Sequence, residues 1–269
     1  MRSIHPKADV SVALFLGGFD PSAGAGVLRD SVVVSGLGIH PMSVILAQTI
    51  QNGVSCEKIS ASEINPVSQL QAIVPHLRKN WGIKLSMFQA PSQVRDVMEI
   101  IRHLKPSAMI WDPIFSPTNG TFLHSSDSVV KLFSLFDTQS WVISPNIPEA
   151  RLIAKMPDEP LESVAKKILD LGMSTVWIRG GHSKNDTVQD LWCNNSTLTW
   201  LTPYSRLDGD PRGTGCTVTS AWLAYRLLGK EPIEAAEAAI LFLRKAWNNL
   251  HVPGKFGRPT FPPKVNFYD

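Results

Sequence analysis

Short apolar runs alternate with longer amphipathic stretches along most of the chain, and this alternation limits the possible folds more than any other feature of the sequence. The runs have the length of β-strands, whereas the stretches between them repeat apolar residues with the period of a helix. Residues 92–104 show the helical pattern, with Val94, Val97, Ile100 and Ile101 on one face. Strands that alternate with such helices favour right-handed crossovers and a mostly parallel sheet with helices on both faces. The sequence therefore predicts an α/β fold.

The predicted strands and helices alternate along the sequence in the following order. Strands are expected at residues 10–16, 43–50, 83–88, 108–111, 141–144 and 175–178. Helices are expected at residues 27–37, 67–77, 92–104, 126–136, 149–154, 161–171, 214–228 and 233–250. A hairpin of two short strands, 188–193 and 197–201, turns at Asn194 and Asn195. No linker or shift in composition divides the chain, so one domain over residues 1–269 is expected.

Composition and charge exclude several classes of function. Acidic and basic residues are interspersed and leave a formal charge of only +3, which argues against nucleic acid as a partner. The apolar run at residues 10–16 is too short to span a membrane. Cys56, Cys193 and Cys216 are far apart and form no CxxC pair, which argues against a disulfide framework or a zinc site. We therefore expect a cytoplasmic protein that binds neither nucleic acid nor a membrane.

The first of two glycine-rich segments, GGFDPSAGAG at residues 17–26, follows the first predicted strand and opens a helix. Its position suits a dinucleotide site, but the third glycine or alanine of that fingerprint is missing after Gly24 and Gly26. A Walker P-loop is also absent from the sequence, since no glycine is followed by Gly-Lys-Ser/Thr at the required spacing. The segment is therefore interpreted either as a tight strand-to-helix turn or as part of a ligand site.

The second segment, RGTGCT at residues 212–217, leads directly into an apolar helix. Gly213 and Gly215 let successive backbone N–H groups converge at the helix N-terminus, where they can bind a phosphate oxygen or a developing negative charge. Cys216 falls in the first turn, where the helix dipole is expected to lower the pKa of the thiol. Alternatively, Cys216 is a small buried apolar residue.

Polar side chains also follow three of the predicted strands. Asp112 comes directly after one strand, and Glu149 follows the next strand with Asn146 three residues before it. Carboxylate and amide oxygens in such loops can hold Mg²⁺ through water and orient a triphosphate. Alternatively, Glu149 only stabilises the dipole of the helix that begins there. Gly181 and His182 follow a third strand, and a surface position is the commoner one for such a histidine.

These segments, in this order, resemble the hydroxymethylpyrimidine/phosphomethylpyrimidine kinase family of thiamin biosynthesis, within the ribokinase-like superfamily. The resemblance covers residues 14–228, with SPNIPEA similar to the Asn-x-x-Glu motif of that superfamily and GTGC the most specific match. It implies a ribokinase-like three-layer α/β/α sandwich. It also implies a kinase that uses ATP and Mg²⁺, a small-molecule pyrimidine as substrate, and a homodimer. Members phosphorylate the hydroxymethyl group of the pyrimidine, and many then convert the monophosphate to the diphosphate.

The resemblance also implies roles for individual residues. The anion hole is assigned to Gly213, Gly215 and Cys216, with the Cys216 thiol as candidate base. Hydrogen bonding of the aminopyrimidine is assigned to Gln51, for which Gln48 is the alternative register. Further substrate contacts are assigned to Gly18, Ala25, Asp30, Met87 and Ile114. Binding of Mg-ATP is assigned to Asn146, Glu149, Arg179, Gly181 and Thr214, with Asp112 and Glu149 near the metal.

Three departures from the family pattern bear on the substrate. Arg212 replaces a histidine and Arg179 replaces a lysine, and both changes keep a positive charge that can bind phosphate in a bidentate manner. SPTNG at residues 116–120 lacks the family's small-residue, lysine and serine pattern, which leaves the second phosphorylation open. A pyridoxal-type kinase and a non-catalytic pyrimidine sensor therefore remain alternatives. A nicotinamide dehydrogenase is disfavoured by the broken GxGxxG motif.

Overall fold

The computed structural model describes residues 10–77, 79–115, 124–136, 141–182, 186–255 and 257–261. Its strands are β1 (Val12–Phe19), β2 (His40–Gln51), β3 (Cys56–Ala61), β4 (Trp81–Leu85), β5 (Ala108–Trp111), β6 (Val142–Ile143), β7 (Thr175–Ile178), β8 (Thr187–Val188), β9 (Leu191–Asn194), β10 (Leu198–Trp200) and β11 (Tyr204–Ser205). Its α-helices are α1 (Gly26–Gly36), α2 (Pro66–Ile73), α3 (Pro91–Ile101), α4 (Ser126–Val130), α5 (Ile147–Ala154), α6 (Leu161–Asp170), α7 (Thr214–Leu227) and α8 (Pro232–Trp247). Short 3-10 helices occupy Val74–His76, Phe133–Leu135 and Gly180–His182.

Among the described residues, nine strands form one sheet in the order β10-β9-β7-β6-β5-β4-β1-β2-β3. The six strands from β7 to β2 run parallel, whereas β9, β10 and β3 join the two edges in antiparallel pairs. The pair β8 and β11 forms a separate ribbon. The α/β class with a mostly parallel central sheet is therefore confirmed.

Helices cover both faces of the sheet because successive residues of a strand point to opposite sides. Along β1, Leu14 and Leu16 belong to the core beneath α2, α3, α5 and α6, whereas Ala13 and Phe15 belong to the core beneath α1, α7 and α8. The three-layer arrangement is thus confirmed. Across the described ranges, no helix has the length and apolar character needed to cross a membrane.

The structure corrects some of the predicted elements. The strand predicted at residues 188–193 is divided between β8 and β9, and β8 pairs with β11 instead of joining the main sheet. The helix predicted at 126–136 ends as an α-helix at Val130 and resumes as a 3-10 turn. Strand β3 was not predicted, because it is a partly exposed edge strand without an apolar run. The antiparallel hairpin of β9 and β10 agrees with the prediction.

Candidate active site

A cavity of about 620 Å³ lies at the carboxyl ends of the parallel strands, where the loops after β1, β2, β4, β5, β6 and β7 meet the start of α7. This is the edge at which ligands bind in open α/β sheets. Every predicted site residue except Asp30 lines this cavity. The lining residues among them are Gly18, Ala25, Gln51, Met87, Asp112, Ile114, Asn146, Glu149, Arg179, Gly181, Gly213, Thr214, Gly215 and Cys216. The fold therefore brings together residues that are up to about 200 positions apart in the sequence.

Asp30 lies beneath the cavity, contrary to the prediction that it contacts the substrate. Its carboxylate is fully buried and accepts hydrogen bonds from Lys84 Nζ at 2.7 Å and from Ser220 Oγ at 2.8 Å. Lys84 Nζ in turn donates to the Cys216 carbonyl oxygen at 3.2 Å. The buried pair therefore supports the first turn of α7 from below, and Asp30 acts on the site through that helix.

Two carboxylates and one guanidinium form the charged centre of the cavity. Arg179 Nη2 lies 2.7 Å from Asp112 Oδ1 and 3.6 Å from Glu149 Oε2. Asp112 Oδ2 accepts from Thr219 Oγ1 at 3.3 Å and lies 3.8 Å from Lys84 Nζ. Since Lys84 is already paired with Asp30, Arg179 is the cation that faces both Asp112 and Glu149, and the two carboxylates leave this centre able to hold a further cation beside anionic phosphate groups.

Asn146 and Glu149 form a capping box at the start of α5. The Glu149 N–H donates to Asn146 Oδ1 at 2.9 Å, and the Asn146 N–H donates to Glu149 Oε2 at 2.8 Å. This reciprocal pair explains the three-residue spacing of the motif. Burial raises the pKa of Glu149 to about 7, although Arg179 opposes that shift. Glu149 thus has a structural role at the helix start as well as a place in the cavity wall.

The two glycine-rich segments meet at the start of α7. Gly213 has φ of +78°, and a Cβ there would lie 2.1 Å from the Gly24 carbonyl oxygen. A Cβ on Gly215 would lie 2.4 Å from Arg179 Nη1, so that glycine leaves room for the guanidinium over the helix N-terminus. The helix terminus and Arg179 therefore direct positive charge at one place, as a phosphoryl site requires.

The Cys216 thiol differs from its predicted state. Burial raises its pKa to about 12, and this outweighs the lowering by Lys84 and by the hydrogen bond with the Gly26 backbone. The prediction of a depressed pKa is therefore wrong. Desolvation of the buried thiol outweighs the helix dipole here, and the thiol is protonated at neutral pH.

Directly before the start of α7, Arg212 joins the two loops that contribute Asp20 and Gln51. Its Nη2 atom donates to Asp20 Oδ2 at 3.0 Å and to Gln51 Oε1 at 2.7 Å. Between the two registers considered for the substrate glutamine, Gln51 lines the cavity whereas Gln48 is exposed on β2. The prediction had placed Arg212 only as a substituted histidine and had not identified Asp20, whose position inside the first glycine-rich segment was the available signal.

Asp190 is a second residue that the sequence interpretation missed. Its buried carboxylate accepts hydrogen bonds from the Gly180 N–H at 2.8 Å and from Trp177 Nε1 at 2.9 Å. It therefore fixes the turn after β7 that carries Gly181 into the cavity wall. His182 is exposed at the end of the same turn, as predicted.

The side chains of this site suit Mg²⁺ better than a metal ion that is bound entirely by protein ligands. Within the part of the chain that the structure describes, no group of three or more His, Cys, Asp or Glu side chains is placed to hold a metal ion. Mg²⁺ commonly uses one or two carboxylates together with waters and phosphate oxygens. Asp112 and Glu149, both within reach of Arg179, supply that number of carboxylates.

Known proteins resemble the chain over most of its length. A family model described as phosphomethylpyrimidine kinase matches residues 20–260. The hydroxymethylpyrimidine/phosphomethylpyrimidine kinase of Aquifex aeolicus (strain VF5) is 32% identical over 248 residues, covering 91% of this chain and 97% of that protein. The kinase of the same name from Bacillus subtilis (strain 168) is 29% identical over 254 residues, covering 92% and 93%.

Solved structures share the fold. The phosphomethylpyrimidine kinase of Clostridium difficile 630 superposes with a TM-score of 0.73 at 25% identity, covering 88% of this chain and 99% of that one. The pyridoxal kinase of Staphylococcus aureus in complex with AMP-PCP superposes with a TM-score of 0.84 at 20% identity, covering 97% and 96%. At that identity the second likeness shows the shared fold alone and leaves the substrate to be argued from the site.

Proposed function

The chain belongs to the phosphomethylpyrimidine kinase family, and we propose that it uses ATP to phosphorylate 4-amino-5-hydroxymethyl-2-methylpyrimidine and then the resulting monophosphate. It is a kinase, so the question is which alcohol and which phosphate it accepts. The observation that supports this proposal most directly is the arrangement of the cavity. The same cavity is lined by the amide of Gln51, by Asp112 and Glu149, and by the start of α7 beside Arg179.

The start of α7 and Arg179 are proposed to bind the phosphoryl group during its transfer from ATP to the alcohol. The backbone N–H groups that follow Gly213 point out of the helix terminus, and Arg179 lies directly above Gly215. Phosphoryl transfer proceeds through a loose transition state whose charge spreads over the equatorial oxygens. Preorganised donors at this point therefore stabilise the transition state more than the ground state.

Asp112 and Glu149 are proposed to hold Mg²⁺ together with the phosphates of ATP. Bound there, the ion neutralises charge on the phosphate oxygens. The Arg179 guanidinium, at 2.7 Å from Asp112 and 3.6 Å from Glu149, keeps both carboxylates in place. The Asn146 N–H also orients Glu149, through the capping box.

Cys216 is proposed to act through its position at the anion hole and not as a thiolate base. A thiol with a pKa of about 12 keeps its proton at neutral pH. In a loose transition state the attacking hydroxyl loses its proton late, so positioning and electrostatic stabilisation can supply most of the rate. The thiol is buried in the first turn of α7, where the Gly26 backbone N–H donates to it.

The test is to incubate the purified protein with Mg-ATP and, separately, the hydroxymethylpyrimidine, its monophosphate and pyridoxal, and to identify the products by mass. Arg179→Met serves as the matched variant, because it removes the guanidinium beside Gly215 and leaves the bonds among Asp20, Gln51 and Arg212 intact. Formation of the monophosphate and the diphosphate by the wild type, with strong loss in the variant, supports the proposal. Pyridoxal phosphate as sole product would assign a pyridoxal kinase, and tight pyrimidine binding without transfer would assign a sensor.

A further inference from the structure

A continuous chain of hydrogen bonds includes Asp20, Gln51 and Arg212 of the cavity wall. It begins at the Phe19 carbonyl oxygen, which accepts from Thr49 Oγ1 at 2.9 Å. Thr49 Oγ1 accepts from Gln51 Nε2 at 2.8 Å. Gln51 Oε1 then accepts from Arg212 Nη2 at 2.7 Å, and the same Nη2 donates to Asp20 Oδ2 at 3.0 Å. The chain therefore links the end of β1, the end of β2 and the loop before α7.

The hydrogen-bonding chemistry of the two neighbours fixes which way round the Gln51 amide lies. Arginine has only donors, so the atom that faces Arg212 must be the amide oxygen. The hydroxyl proton of Thr49 is committed to a carbonyl oxygen, so Thr49 can only accept, and the atom that faces it must be the amide nitrogen. Both neighbours thus demand the same orientation, and a flipped amide would lose two hydrogen bonds.

Arg212 is itself held firmly enough to impose this orientation. Its Nη1 atom donates to Ser22 Oγ at 2.8 Å, and its backbone N–H donates to the Pro259 carbonyl oxygen at 2.9 Å. Asp20, its ionic partner, accepts from the N–H groups of Ser22 at 2.8 Å and Ala25 at 3.0 Å. The guanidinium is only 9% exposed, so its bonds are shielded from competing water.

From this arrangement we infer that Arg212 is a positioning residue that orients the Gln51 amide and thereby makes the site selective for a ring with an amino group beside a ring nitrogen. The inference rests on the proposed function, since it concerns the residues of the same cavity that are proposed to bind the pyrimidine. With one N–H and one oxygen lone pair already used, the fixed amide has one of each left. An aminopyrimidine edge offers the matching acceptor and donor side by side. A ring without the amino group cannot satisfy the free lone pair.

Binding measurements without nucleotide test this inference. Calorimetry compares 4-amino-5-hydroxymethyl-2-methylpyrimidine with 5-hydroxymethyl-2-methylpyrimidine, which lacks the amino group, in the wild type and in Arg212→Met. We expect the variant to bind the amino compound about 10- to 100-fold more weakly, as for loss of a hydrogen bond to a charged group. The compound without the amino group should bind the two proteins equally well. In a Gln51→Leu background, Arg212→Met should cause no additional loss.

Two further variants control for folding and for general charge effects. Arg102→Met removes an exposed arginine whose ionic partner among the described residues is Glu99, and both compounds should bind this variant as they bind the wild type. Should Arg212→Met fail to fold, Arg212→Lys gives the same comparison, since a lysine keeps the charge beside Asp20 without the planar fork that reaches Gln51. Equal weakening of both compounds, or no weakening of either, would overturn the inference.

The same measurements separate this inference from the proposed function. In one outcome the wild type binds the amino compound selectively and the Arg212 variants lose that selectivity, but the wild type phosphorylates no alcohol. This outcome would overturn the kinase assignment alone. A wild type that phosphorylates the pyrimidine, with unchanged selectivity in the Arg212 variants, would overturn the role of Arg212 alone. A wild type that binds neither compound would overturn both.

Discussion

Replacing Glu149 with glutamine should stabilise the protein at alkaline pH while it impairs catalysis. Glu149 is only 14% exposed, and burial raises its pKa from 4.5 to about 7. At about 1.36 kcal/mol for each pH unit between those values, the ionised side chain costs the folded state at most about 3.4 kcal/mol. Glutamine carries no charge to desolvate. Its carbonyl oxygen can still accept from the Asn146 N–H, so the capping box at the start of α5 is kept.

The sign of the pH dependence follows from the raised pKa. Below pH 4.5, Glu149 is protonated in both the folded and the unfolded chain, so its burial costs no ionisation energy. As the pH rises from 4.5 to about 7, the unfolded chain releases a proton that the folded chain retains, and the stability contributed by this group falls. Above pH 7 the whole cost is present. The gain from Glu149→Gln should therefore be small at pH 5 and approach about 2–3 kcal/mol at pH 8.

Urea unfolding of wild type and Glu149→Gln at pH 5 and pH 8 measures this difference. Glu162→Gln is the matched control, because Glu162 is also an acidic residue in the first turn of a helix, α6, but lies away from the cavity. It should change stability by similar amounts at the two pH values. In the same preparation, kcat of Glu149→Gln should fall at least about tenfold, since one proposed Mg²⁺ carboxylate is lost. A variant that is equally destabilised at both pH values would refute the reasoning.

Three other substitutions test separate parts of the site. Gly215→Ala places a Cβ 2.4 Å from Arg179 Nη1 and should lower kcat about 10- to 100-fold. The free energy of unfolding in urea should change by less than about 1 kcal/mol. Full activity would contradict the proposed place of Arg179. The kcat of Cys216→Ser should stay within about tenfold of the wild-type value between pH 6 and 9. A loss above about 1000-fold would indicate a thiolate base. Asp30→Ala leaves Lys84 buried without its closest carboxylate and should lower the free energy of unfolding in urea by about 3–5 kcal/mol. The double variant Asp30→Ala/Lys84→Met should recover the lost stability. A loss below about 1 kcal/mol would show that the pair does not support α7.

The parts of the fold that depend on local pattern could be predicted from the sequence. The strands at residues 108–111 and 175–178 have the predicted bounds, because each is a short apolar run between polar segments. The antiparallel hairpin of β9 and β10 was also predicted. Strand β3 was missed because both of its faces are partly exposed and its residues show no apolar run. Asp190 lies between β8 and β9, and its side-chain partners Trp177 and Tyr204 come from the neighbouring strands β7 and β11, so the division depends on tertiary contacts.

The candidate site shows the same limit at the level of single residues. The order of the loop motifs could place Gln51, Glu149 and the GTGC segment at one edge of the sheet, and they do line one cavity. The protonation state of Cys216 could not be predicted, since it is set by burial among residues far away in sequence. The bond between Arg212 and Gln51 joins positions 161 residues apart, so no local signal contains it. SPTNG at residues 116–120 lies outside the described residues.

A competition assay tests the central claim most directly. The wild-type protein is given Mg-ATP with equal concentrations of 4-amino-5-hydroxymethyl-2-methylpyrimidine and pyridoxal, and both phosphorylated products are quantified by mass over the first tenth of the reaction. The ratio of products gives the ratio of kcat/KM for the two alcohols. Since Gln51 and Arg212 are proposed to recognise an aminopyrimidine edge, the pyrimidine phosphate should exceed pyridoxal phosphate at least about tenfold. An excess of pyridoxal phosphate would contradict the assignment of the pyrimidine as substrate.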